Sequence, residues 1–580
     1  MIFILVNHIG YGTKSPKKVI FRCTEGEVIH DFTVVDENDR EIYSGQARKD
    51  GEVVGWNMRD FYSGDFSSVQ TEGRYAVRVQ GGKSPYFEVR DYRLKMKLMN
   101  AVIYYFKAQR DSGEWMLEDR RLPFAGPREG TVDAHGGWFD ATGDYGIHFS
   151  HLSHGSFFNP QQVPLSDYIF FKAYENMENT CNEEYSMLKR RDLDEGHFGA
   201  AFIMRMRAPS GTFFRSINRQ DALAAVRGTR RIGFEYHGSS TQFGPASTAD
   251  IEQITDENYE VGFRSGGGMA IAALAIAARY YYPSEEYSQK EYIDSATDAY
   301  HYLKENNLRY ANDGKENLVD EYCALCAVTE LYKTTGEVEY LHEARNWMKK
   351  IASRAVEVGP GRKYLEVSEG IPYFSACDEG LPAASLLWYA QIEKNELWRG
   401  KARSLAEELL RFETEITETG VNPFGYPRMH VLRGGKIHDQ FFFPHDTTVA
   451  PWWQGDNARI ASISAAAALM ERQTDDRKLK GLLGKLQQDP LDWILGLNPY
   501  DSCMMEGYGR NNINYFFHNR YDFVACQGGI VNGITSGLED EDSIAYVMEP
   551  CPEVDDNWRW AEQWIPHASW FLYAVSLLDE

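Results

Sequence analysis

The first 90 residues carry short segments in which apolar and polar side chains alternate, as they do along half-buried β-strands. Turn-prone residues such as Gly81 and Gly82 separate these segments. The clearest of them are KKVIFR around Val19, HDFTVVDE around Phe32, GRYAVRVQ around Ala76 and PYFEVRD around Phe87. Several short strands at this spacing predict a small antiparallel sandwich.

At about Arg90 the pattern changes to the helical period, and helical segments then recur to the end of the chain. Many are rich in Ala and Leu and apolar on nearly all sides, which is typical of helices buried between other helices. The clearer segments are DYRLKMKLMNAVIYYFKAQR, SDYIFFKAYENMENT, EGHFGAAFIMRMR, SGGGMAIAALAIAARYY, DEYCALCAVTELYKTTG, AASLLWYAQIEKNELW, KARSLAEELLRFETEI, DNARIASISAAAALMERQ and PHASWFLYAVSLLDE. We therefore predict a sandwich at residues 1–90 and a large all-helical domain at residues 91–580, with an active face built by its long loops.

Composition and charge narrow the classes of partner. The chain has 580 residues, of which 43% are hydrophobic and 25% charged, so it is globular with a large core. Aromatic residues reach 14%, more than core packing needs, and flat rings are surfaces on which sugars and bases stack. The net charge of −24 argues against nucleic acid, whose phosphates it would repel, and is compatible with neutral or cationic small substrates.

The sequence also bears on the compartment. No stretch approaches the ~18 apolar residues of a membrane span. The opening MIFILVNHIGYG lacks the basic region and the long apolar run of a secretory signal. The eight cysteines follow no disulfide framework, and Cys323 and Cys326 lie in an apolar run that favours a buried helix face over a metal or redox pair. We expect a reduced, cytoplasmic protein with no membrane partner.

The densest polar and aromatic loop is HGGWFDATGDYGIHF at residues 135–149. Asp140 and Asp144 lie four positions apart in it, and two close carboxylates favour a water or a substrate between them. One can deprotonate a water while the other orients it, and Trp138 could offer a face to a sugar. A calcium-binding or merely turn-forming Asp-Gly loop is the alternative.

A second candidate lies near the end of the chain, in VDDNWRWAEQWIPHASWF. Glu562 is surrounded in sequence by Trp558, Trp560 and Trp564, an apolar setting that would raise its pKa. A carboxyl group that stays protonated near neutrality can act as a general acid. The alternative is an exposed Glu at the start of a helix, just before Pro566.

Two further segments contain candidate substrate-binding residues. In LGLNPYDSCMMEGYGRNNINYFFHNR, His518 and Arg520 are directional donors for sugar hydroxyls, and Tyr508 and the later Trp564 are further candidate contacts.

The aromatic loop FFFPHDTTVAPWWQGD could close one end of a cleft, and its Asp446 or Asp456 could pair with the 2-ammonium group of an amino sugar. Alternatively, this loop only packs against the rim of the helical domain.

Taken together, GGWFDATGDYG, LGLNP…GYGRN…HNR and a Glu just before the last helix resemble glycoside hydrolase family 9. The start VNHIGYGTKSPKKVIF resembles the immunoglobulin-like module that precedes the catalytic domain in one branch of that family. The resemblance runs nearly from end to end. It implies an immunoglobulin-like β-sandwich followed by an (α/α)6 barrel, and hydrolysis by single displacement with inversion.

The resemblance also implies roles for individual residues. Asp144 matches the catalytic base, Asp140 the Asp that helps to hold the attacking water, and Glu562 the general acid. His518 and Arg520 match the substrate-binding His-x-Arg. In an inverting enzyme, the carboxyl groups of the base and the acid lie about 6.5–9.5 Å apart.

The chain departs from the family pattern in two places. Thr142 lengthens the usual Asp-Ala-Gly-Asp to Asp-Ala-Thr-Gly-Asp, and Ala561 stands where an Asn usually precedes the acid. These departures suggest a divergent subgroup, with exo-acting β-glucosidases and β-glucosaminidases as the nearest relatives.

We therefore expect an inverting glycoside hydrolase that removes β-1,4-linked glucose-type or glucosamine residues from the non-reducing end of short cello- or chitosan-oligosaccharides. An endo-β-1,4-glucanase and a non-catalytic sugar-binding protein are the alternatives. No cofactor is required by this mechanism. The resemblance allows a structural calcium or zinc ion, but no ligand cluster in the sequence supports one, and no pattern indicates an oligomeric state.

Overall fold

The computed structural model describes residues 1–24, 26–143, 145–150, 161–180, 182–219, 230–234, 254–281, 286–311, 313–445, 453–518, 520–521 and 525–578. The chain forms two compact units. The first unit comprises Met1–Tyr105, Leu410–Pro444 and Gln454–Glu580. The second unit comprises Phe106–Leu409 and His445–Trp453.

The first unit begins with two β-sheets that pack face to face. One has the strand order β1-β3-β7-β6, and the other β2-β10-β8-β4-β5 with β9 added to β8. The pairing is antiparallel except between β2 and β10. The strands are β1 (Ile2–Leu5), β2 (Gly10–Tyr11), β3 (Lys18–Cys23), β4 (Asp31–Asp36), β5 (Glu41–Gln46), β6 (Arg48–Gly51), β7 (Phe61–Asp65), β8 (Gly73–Val79), β9 (Gly82–Lys83) and β10 (Phe87–Val89).

Alternation along these strands produces the core of the sandwich. Val19 and Phe21 of β3 point inward from one sheet, and Phe32 and Val34 of β4 meet them from the other. Each of these side chains is at most 1% exposed. The four strand segments predicted from sequence are β3, β4, β8 and β10, so the predicted sandwich is confirmed.

Helices make up most of the rest. In the second unit α3 pairs with α4, α5 with α6 and α7 with α8, and in the first unit α11 packs against α12 and α14. The helices are α1 (Tyr92–Gln109), α2 (Gly113–Asp119), α3 (Val163–Asn179), α4 (Ser186–Arg205), α5 (Gly268–Arg279), α6 (Gln289–Asn306), α7 (Leu318–Thr335), α8 (Val338–Ser353), α9 (Leu381–Ile392), α10 (Glu396–Glu418), α11 (Asn457–Glu471), α12 (Arg477–Ile494), α13 (Trp558–Ala561) and α14 (Ile565–Ser576).

Short strands lie in the connections between the helices. They are β11 (Leu122–Pro123), β12 (Thr131–Val132), β13 (Ile147–His148), β14 (Ser216–Arg219), β15 (Arg230–Ile232), β16 (Ala355–Gly359), β17 (Arg362–Ser368), β18 (Ile371–Pro372), β19 (Met429–Arg433) and β20 (Lys436–Gln440). The predicted order, strands first and helices afterwards, is confirmed. The domain boundary near residue 90 stays a prediction, although β10 ends at Val89 and α1 begins at Tyr92.

Each of the predicted apolar segments contains a helix, but one prediction joined two helices. AASLLWYAQIEKNELW contains the end of α9 and the start of α10. The chain turns at Glu393, whose carboxylate accepts hydrogen bonds from the Arg345 guanidinium (2.7 and 2.8 Å), from the Tyr389 hydroxyl (2.6 Å) and from the Asn395 N–H (2.8 Å). The four hydrogen bonds to this carboxylate fix the chain between the end of α9 and the start of α10.

Buried polar side chains cluster just before, or in the first turn of, the most buried helices. In the second unit they are Gln161 and Gln162 before α3, Asn317 before α7 and Asp378 before α9, and in the first unit they are Asp456 before α11 and the half-buried Glu562 before α14.

Within the first unit, the sandwich packs against chain that follows much later in the sequence. The Lys18 ammonium lies 2.9 Å from the Asp489 carboxylate, and the Asn7 amide donates to the Asp492 carboxylate at 2.8 Å. Trp56 packs among the rings of aromatic residues from beyond α10. Burial raises the pKa of Asp492 to about 7, which the hydrogen bond from Asn7 opposes.

Two statements about the described part of the chain bear on the sequence expectations. None of its helices is long and apolar enough to cross a membrane. Its seven cysteines are free, and Cys323 and Cys326 are both buried in α7, as the buried-face interpretation predicts.

Candidate active site

The loop that carries Asp140 is held in the second unit by the end of α1. The Phe139 N–H donates to the Gln109 carbonyl at 2.8 Å, and the Asp111 N–H donates to the Gly137 carbonyl at 2.9 Å. Gly137 has a φ of 73°, in the left-handed region that glycine tolerates. Gly137 therefore lets the loop turn back along α1, and the two backbone hydrogen bonds fix the position of Asp140.

Trp138 is an internal anchor of this loop rather than a sugar platform. Its ring is fully buried and its indole N–H donates to the Glu195 carboxylate at 2.9 Å. The Arg110 guanidinium binds the same carboxylate with two hydrogen bonds of 2.9 Å, and Phe106 packs edge-on against the indole. A ring with no exposed face cannot stack on a sugar, so the prediction of a sugar-binding face at Trp138 is wrong.

Asp140 is 2% exposed, and its N–H donates to the Gly146 carbonyl at 3.1 Å. Nε2 of His148, in β13, lies 3.9 Å from Oδ2 of Asp140. Asp144, the candidate base, lies outside the described residues, so its role and its separation from Glu562 stay predictions. The sequence reasoning did not single out His148, although it ends the same loop.

Asp111 supports the loop from the side of α1. Its Oδ2 accepts a hydrogen bond from the Gly136 N–H at 2.9 Å, while the side chain is 2% exposed. Burial, and secondarily the nearby Asp119 carboxylate, raise the pKa of Asp111 to about 7. Asp119 itself is bound by two hydrogen bonds from the fully buried Arg230. The Asp111 carboxyl group, whose pKa is about 7, thus contacts the Asp140 loop directly.

Glu562 lies in the first unit, between α13 and α14. Its N–H donates to the Trp558 carbonyl at 3.2 Å, and its own carbonyl accepts from the Asn532 N–H at 2.8 Å. The side chain is half-buried, so the alternative of an exposed Glu at a helix start is wrong. The raised pKa expected from its Trp-rich neighbourhood stays a prediction.

The tryptophans next to Glu562 belong mainly to the interior. Trp560 is 1% exposed and its indole N–H donates to the Thr535 hydroxyl at 2.8 Å. Trp564 is 6% exposed and packs edge-on against His567. Protein atoms thus cover most of the Trp564 ring. Its contact with substrate stays a prediction.

His518 and Arg520 lie on a tight turn in the first unit. The N–H and carbonyl of Phe517 pair with those of Arg520 at 2.8 and 3.1 Å. His518, with a φ of 49°, is exposed, and its Nδ1 lies 3.3 Å from the Asp555 carboxylate. Both side chains are exposed, a position compatible with the predicted substrate-binding role, which no contact here tests.

Asn557 joins the turn of His518 to the helix that precedes Glu562. It is fully buried, its side-chain oxygen accepts from the Phe516 N–H at 2.8 Å, and its amide donates to the carbonyls of Asn514 and Val547. Since Asn557 also precedes α13, the structure brings the predicted acid and the His-x-Arg segment into one hydrogen-bonded framework.

Tyr508 occupies a glycine-flanked bend of the same unit. Its carbonyl accepts from the Asn512 amide at 3.0 Å, and its half-buried ring lies 6.0 Å from the Lys97 ammonium. Its role in substrate binding stays a prediction.

Asp456 is not available to an amino sugar. It is 2% exposed, and its carboxylate is bound by the Arg459 guanidinium and the Tyr426 hydroxyl. The prediction that Asp456 binds a 2-ammonium group is wrong, because its charge is already balanced inside the protein. Asp446, the other candidate, lies outside the described residues.

Comparison with protein families identifies the family to which the chain belongs. A model of glycosyl hydrolase family 9 matches residues 96–533, and a model of the cellulase N-terminal immunoglobulin-like domain matches residues 3–84. The chain belongs to glycosyl hydrolase family 9. Asp140, His518 and Arg520 lie inside the catalytic match, whereas Glu562 lies beyond its end at residue 533.

Individual relatives of this family 9 protein are more distant. A cellodextrinase of Butyrivibrio fibrisolvens is 30% identical over 382 residues, which is 60% of this chain and 61% of that protein. Endoglucanase D of Acetivibrio thermocellus is 25% identical over 378 residues, which is 59% of this chain and 53% of that protein. The matched part thus covers less than two thirds of each relative's length.

The similarity to solved structures extends over nearly the whole chain. Bacteroides ovatus GH9 superposes with a TM-score of 0.67 at 19% identity, covering 99% of this chain and 98% of that one. At this identity the likeness shows the fold. The predicted fold class, an immunoglobulin-like sandwich followed by a large helical domain, is confirmed, and the helical hairpins are consistent with the (α/α)6 barrel.

No ligand cluster for a metal ion is evident from the sequence, and the described part of this family 9 chain can be compared with that expectation. Within it, no group of three or more His, Cys, Asp and Glu side chains is arranged to hold a metal ion. The expectation that catalysis needs no metal stays a prediction, because Asp144 and Asp446 are not described.

Sequence reasoning missed the residues that hold the candidates in place. Asp111, Asn532, Asn557 and His567 are all at most 2% exposed and bind backbone or side-chain groups next to a candidate residue. Their partners are distant in sequence, so no local pattern reveals their roles.

Proposed function

We propose that the protein is an inverting glycoside hydrolase that cleaves β-1,4 linkages between glucose-type residues of oligosaccharides. The observation that carries this proposal is the family 9 match over residues 96–533, which includes the loop that α1 holds around Asp140. The names of the curated relatives, cellodextrinase and endoglucanase, support β-1,4-glucan as the substrate class.

In the proposed reaction Glu562 donates its proton to the glycosidic oxygen while Asp144 takes a proton from water on the opposite face of the sugar. Asp140 orients that water. The C–O bond to the leaving group breaks as the bond to water forms, so the anomeric centre inverts. The buried contacts of Asp140 suit a positioning role, because a fixed carboxylate need not reorganise during the reaction.

Aryl β-cellobiosides and NMR of the first product test the proposal. Glu562→Gln and Asp144→Asn should each lower kcat by ~10²–10⁴-fold or more, since general acid–base catalysis contributes about that much. The β-linked substrate should release the α-anomer. The β-anomer would rule out single displacement, and a Glu562→Gln variant with near-normal activity on phenyl β-cellobioside would show that the acid has been misassigned.

As the finer proposal, the enzyme removes single residues from the non-reducing end of short oligosaccharides. The cellodextrinase name supports short substrates, while endoglucanase D supports the endo alternative. Monomer from the first minutes, with dimers as good substrates, is the expected result. Rapid loss of viscosity of a soluble cellulose derivative with mid-length products would indicate an endo-acting enzyme instead.

Of the two acidic groups proposed to bind a 2-ammonium group, Asp456 is occupied by Arg459 and Tyr426, so glucosamine in the terminal position depends on Asp446. Hydrolysis of cellobiose, chitobiose and the chitosan dimer under identical conditions decides this point. Clear preference for the chitosan dimer would require another acidic group, and Asp446→Asn is then the variant to test. Activity in the cytoplasm is part of the proposal and is checked by fractionating cells that express the untagged protein.

A further inference from the structure

His567, in the first turn of α14, is a fully buried histidine whose two ring nitrogens have distinct roles. Nδ1 lies 2.7 Å from the backbone N of Ala458, and Nε2 lies 2.8 Å from the side-chain oxygen of Asn532. A backbone N–H can only donate, so Nδ1 accepts and the ring proton is on Nε2. Burial lowers the pKa of His567 to about 3, which keeps this neutral tautomer at ordinary pH.

Asn532 receives the Nε2–H of His567 and binds the segment that carries Glu562. Its side-chain amide donates to the Trp558 carbonyl, and its backbone N–H donates to the Glu562 carbonyl, both at 2.8 Å. Trp558 is the first residue of α13, and Glu562 directly follows its last residue. A second donor, the Gln454 amide, lies 3.3 Å from the same Asn532 oxygen and helps to fix which way the amide faces.

The backbone around Asn532 is closely packed against the segment before α11. A Cβ atom on Gly455 would lie 2.3 Å from the Asn532 carbonyl oxygen. One on Gly533, where φ is +104°, would lie 2.7 Å from the Asn457 amide. Glycine at both positions lets the chain around residue 532 pass directly against the start of α11. The backbone at residue 532 is thus closely packed, while its side-chain amide is held by His567, Gln454 and the Trp558 carbonyl.

We propose that His567 and Asn532 form a positioning pair that sets the place of the Glu562 carboxyl group relative to the glycosidic oxygen. The pair transmits the position of α11, through Ala458, to the short helix before Glu562. It does not touch substrate. The inference rests on the proposed role of Glu562 as general acid, and the position of a reacting group matters because a misplacement of about 1 Å costs ~10²-fold in rate.

Two replacements of the same residue separate the two hydrogen bonds. His567→Gln keeps a donor near the position of Nε2 and loses the acceptor for Ala458. His567→Asn keeps an acceptor near the position of Nδ1 and loses the donor to Asn532. Both variants remove the ring and leave a buried amide. Asn is one methylene shorter than Gln and leaves the larger cavity, so the comparison of two substrates within each variant, and not stability alone, carries the test.

The readout is the dependence of kcat/KM on the leaving group. Because the proposed enzyme removes one residue from the non-reducing end, the phenol itself is the leaving group in aryl β-glucosides. Phenyl β-glucoside needs protonation of its departing oxygen, whereas the dinitrophenolate of 2,4-dinitrophenyl β-glucoside departs with little help from an acid. We expect His567→Asn to lower kcat/KM for the phenyl glycoside by ~10–100-fold and for the dinitrophenyl glycoside by less than about 3-fold, as for a displaced general acid. His567→Gln should stay within about 3-fold of the wild type on both.

A purely structural role predicts equal losses on both glycosides, and that result, or indistinguishable behaviour of the Gln and Asn variants, would overturn the inference. His197→Asn is the matched control, since His197 is equally buried in α4 and donates to the Tyr280 carbonyl. Its ratio between the two glycosides should equal that of the wild type.

Glu562→Gln distinguishes this inference from the proposed function. If Glu562→Gln spares the dinitrophenyl glycoside and His567→Asn does not, the acid is correct and the positioning pair is wrong. If Glu562→Gln shows no such selectivity, both are wrong.

Should His567→Asn fail to fold by circular dichroism, Asn532→Ser replaces it, since it removes the donor to Trp558. Failure of both to fold would mean that the pair only maintains the fold, which also overturns the inference.

Discussion

The anchoring of the Asp140 loop by Trp138 predicts a measurable local destabilisation in the variant Trp138→Phe. This change keeps a buried aromatic ring and removes the hydrogen bond to the Glu195 carboxylate. Hydrogen bonds to charged groups are worth about 1.5–3 kcal/mol, and the smaller ring adds roughly 1 kcal/mol of lost burial. The free energy of local opening of the loop should fall by the sum of these two contributions.

Native-state hydrogen exchange followed by mass spectrometry measures that opening without requiring two-state unfolding of a 580-residue chain. The reporters are the amides of Phe139 and Asp111, whose hydrogen bonds join the loop to the end of α1. Since 1.36 kcal/mol is a factor of ten, the hydrogen bond alone should accelerate their exchange by ~10–150-fold.

Trp570→Phe supplies the control. Trp570 is also fully buried, but its indole N–H has no hydrogen-bond partner in the described part of the chain. The same atoms are lost from both rings, so the difference between the two variants isolates the hydrogen bond. If exchange around residue 138 rises no more than exchange around Trp570 does, Glu195 does not anchor the loop.

Further predictions concern charge and protonation. Asp140→Asn should lower kcat on phenyl β-cellobioside by ~10²-fold or more with an unchanged circular dichroism spectrum, and activity within twofold of wild type would remove it from the mechanism. The pKa of Asp111 is raised to about 7, so the native state binds its proton more tightly and stability falls as pH rises from about 4 to 7. Asp111→Asn should therefore gain stability over the wild type across that range, by up to about 4 kcal/mol, and a Tm difference that is flat with pH would contradict the assignment. Asp456→Asn removes the ion-pair partner of the buried Arg459, and we expect a loss of ~3–5 kcal/mol in thermal or chemical unfolding, with an unchanged preference between cellobiose and the chitosan dimer. Normal stability with an altered preference would restore Asp456 as an amine-binding group.

Local sequence patterns predicted the strands and helices in which the spacing of apolar side chains matches the faces that are buried. β3 and β4 alternate because one face of each lies on the core, and α5 and α11 are apolar all round because they are buried on all sides. The more polar helices α6, α8 and α12 were less evident, since charged side chains cover their outer faces. The break at Glu393 was missed because Arg345, which binds its carboxylate, is 48 positions away.

The candidate site shows the same difference between features visible in the local sequence and features that depend on residues far apart in sequence. Asp140 and Glu562 were selected as candidates because carboxylates in aromatic or glycine-rich surroundings are conspicuous in sequence, and their roles stay predictions. Trp138 was misread because its partner Glu195 is 57 positions away, and nothing near Trp138 indicates that the indole is buried. His567 and Asn532, which are 35 positions apart, were missed for the same reason. Sequence identifies reactive groups, whereas the groups that hold them are defined by tertiary contacts.

The contacts between the sandwich and the later chain impose an order on biosynthesis. Asn7 and Asp492 are separated by 485 positions, and Lys18 donates to the carbonyl of Phe424, 406 positions later. The sandwich ends at Val89, so at ribosomal rates of ~5–20 residues per second it waits roughly 20–80 s for Asp492, the partner of Asn7. During that interval Trp56, which is 3% exposed in the complete protein, lacks the aromatic rings that cover it. A nascent chain stalled before Phe424 therefore displays an uncovered indole on a folded domain, a surface suited to chaperone capture and prone to self-association.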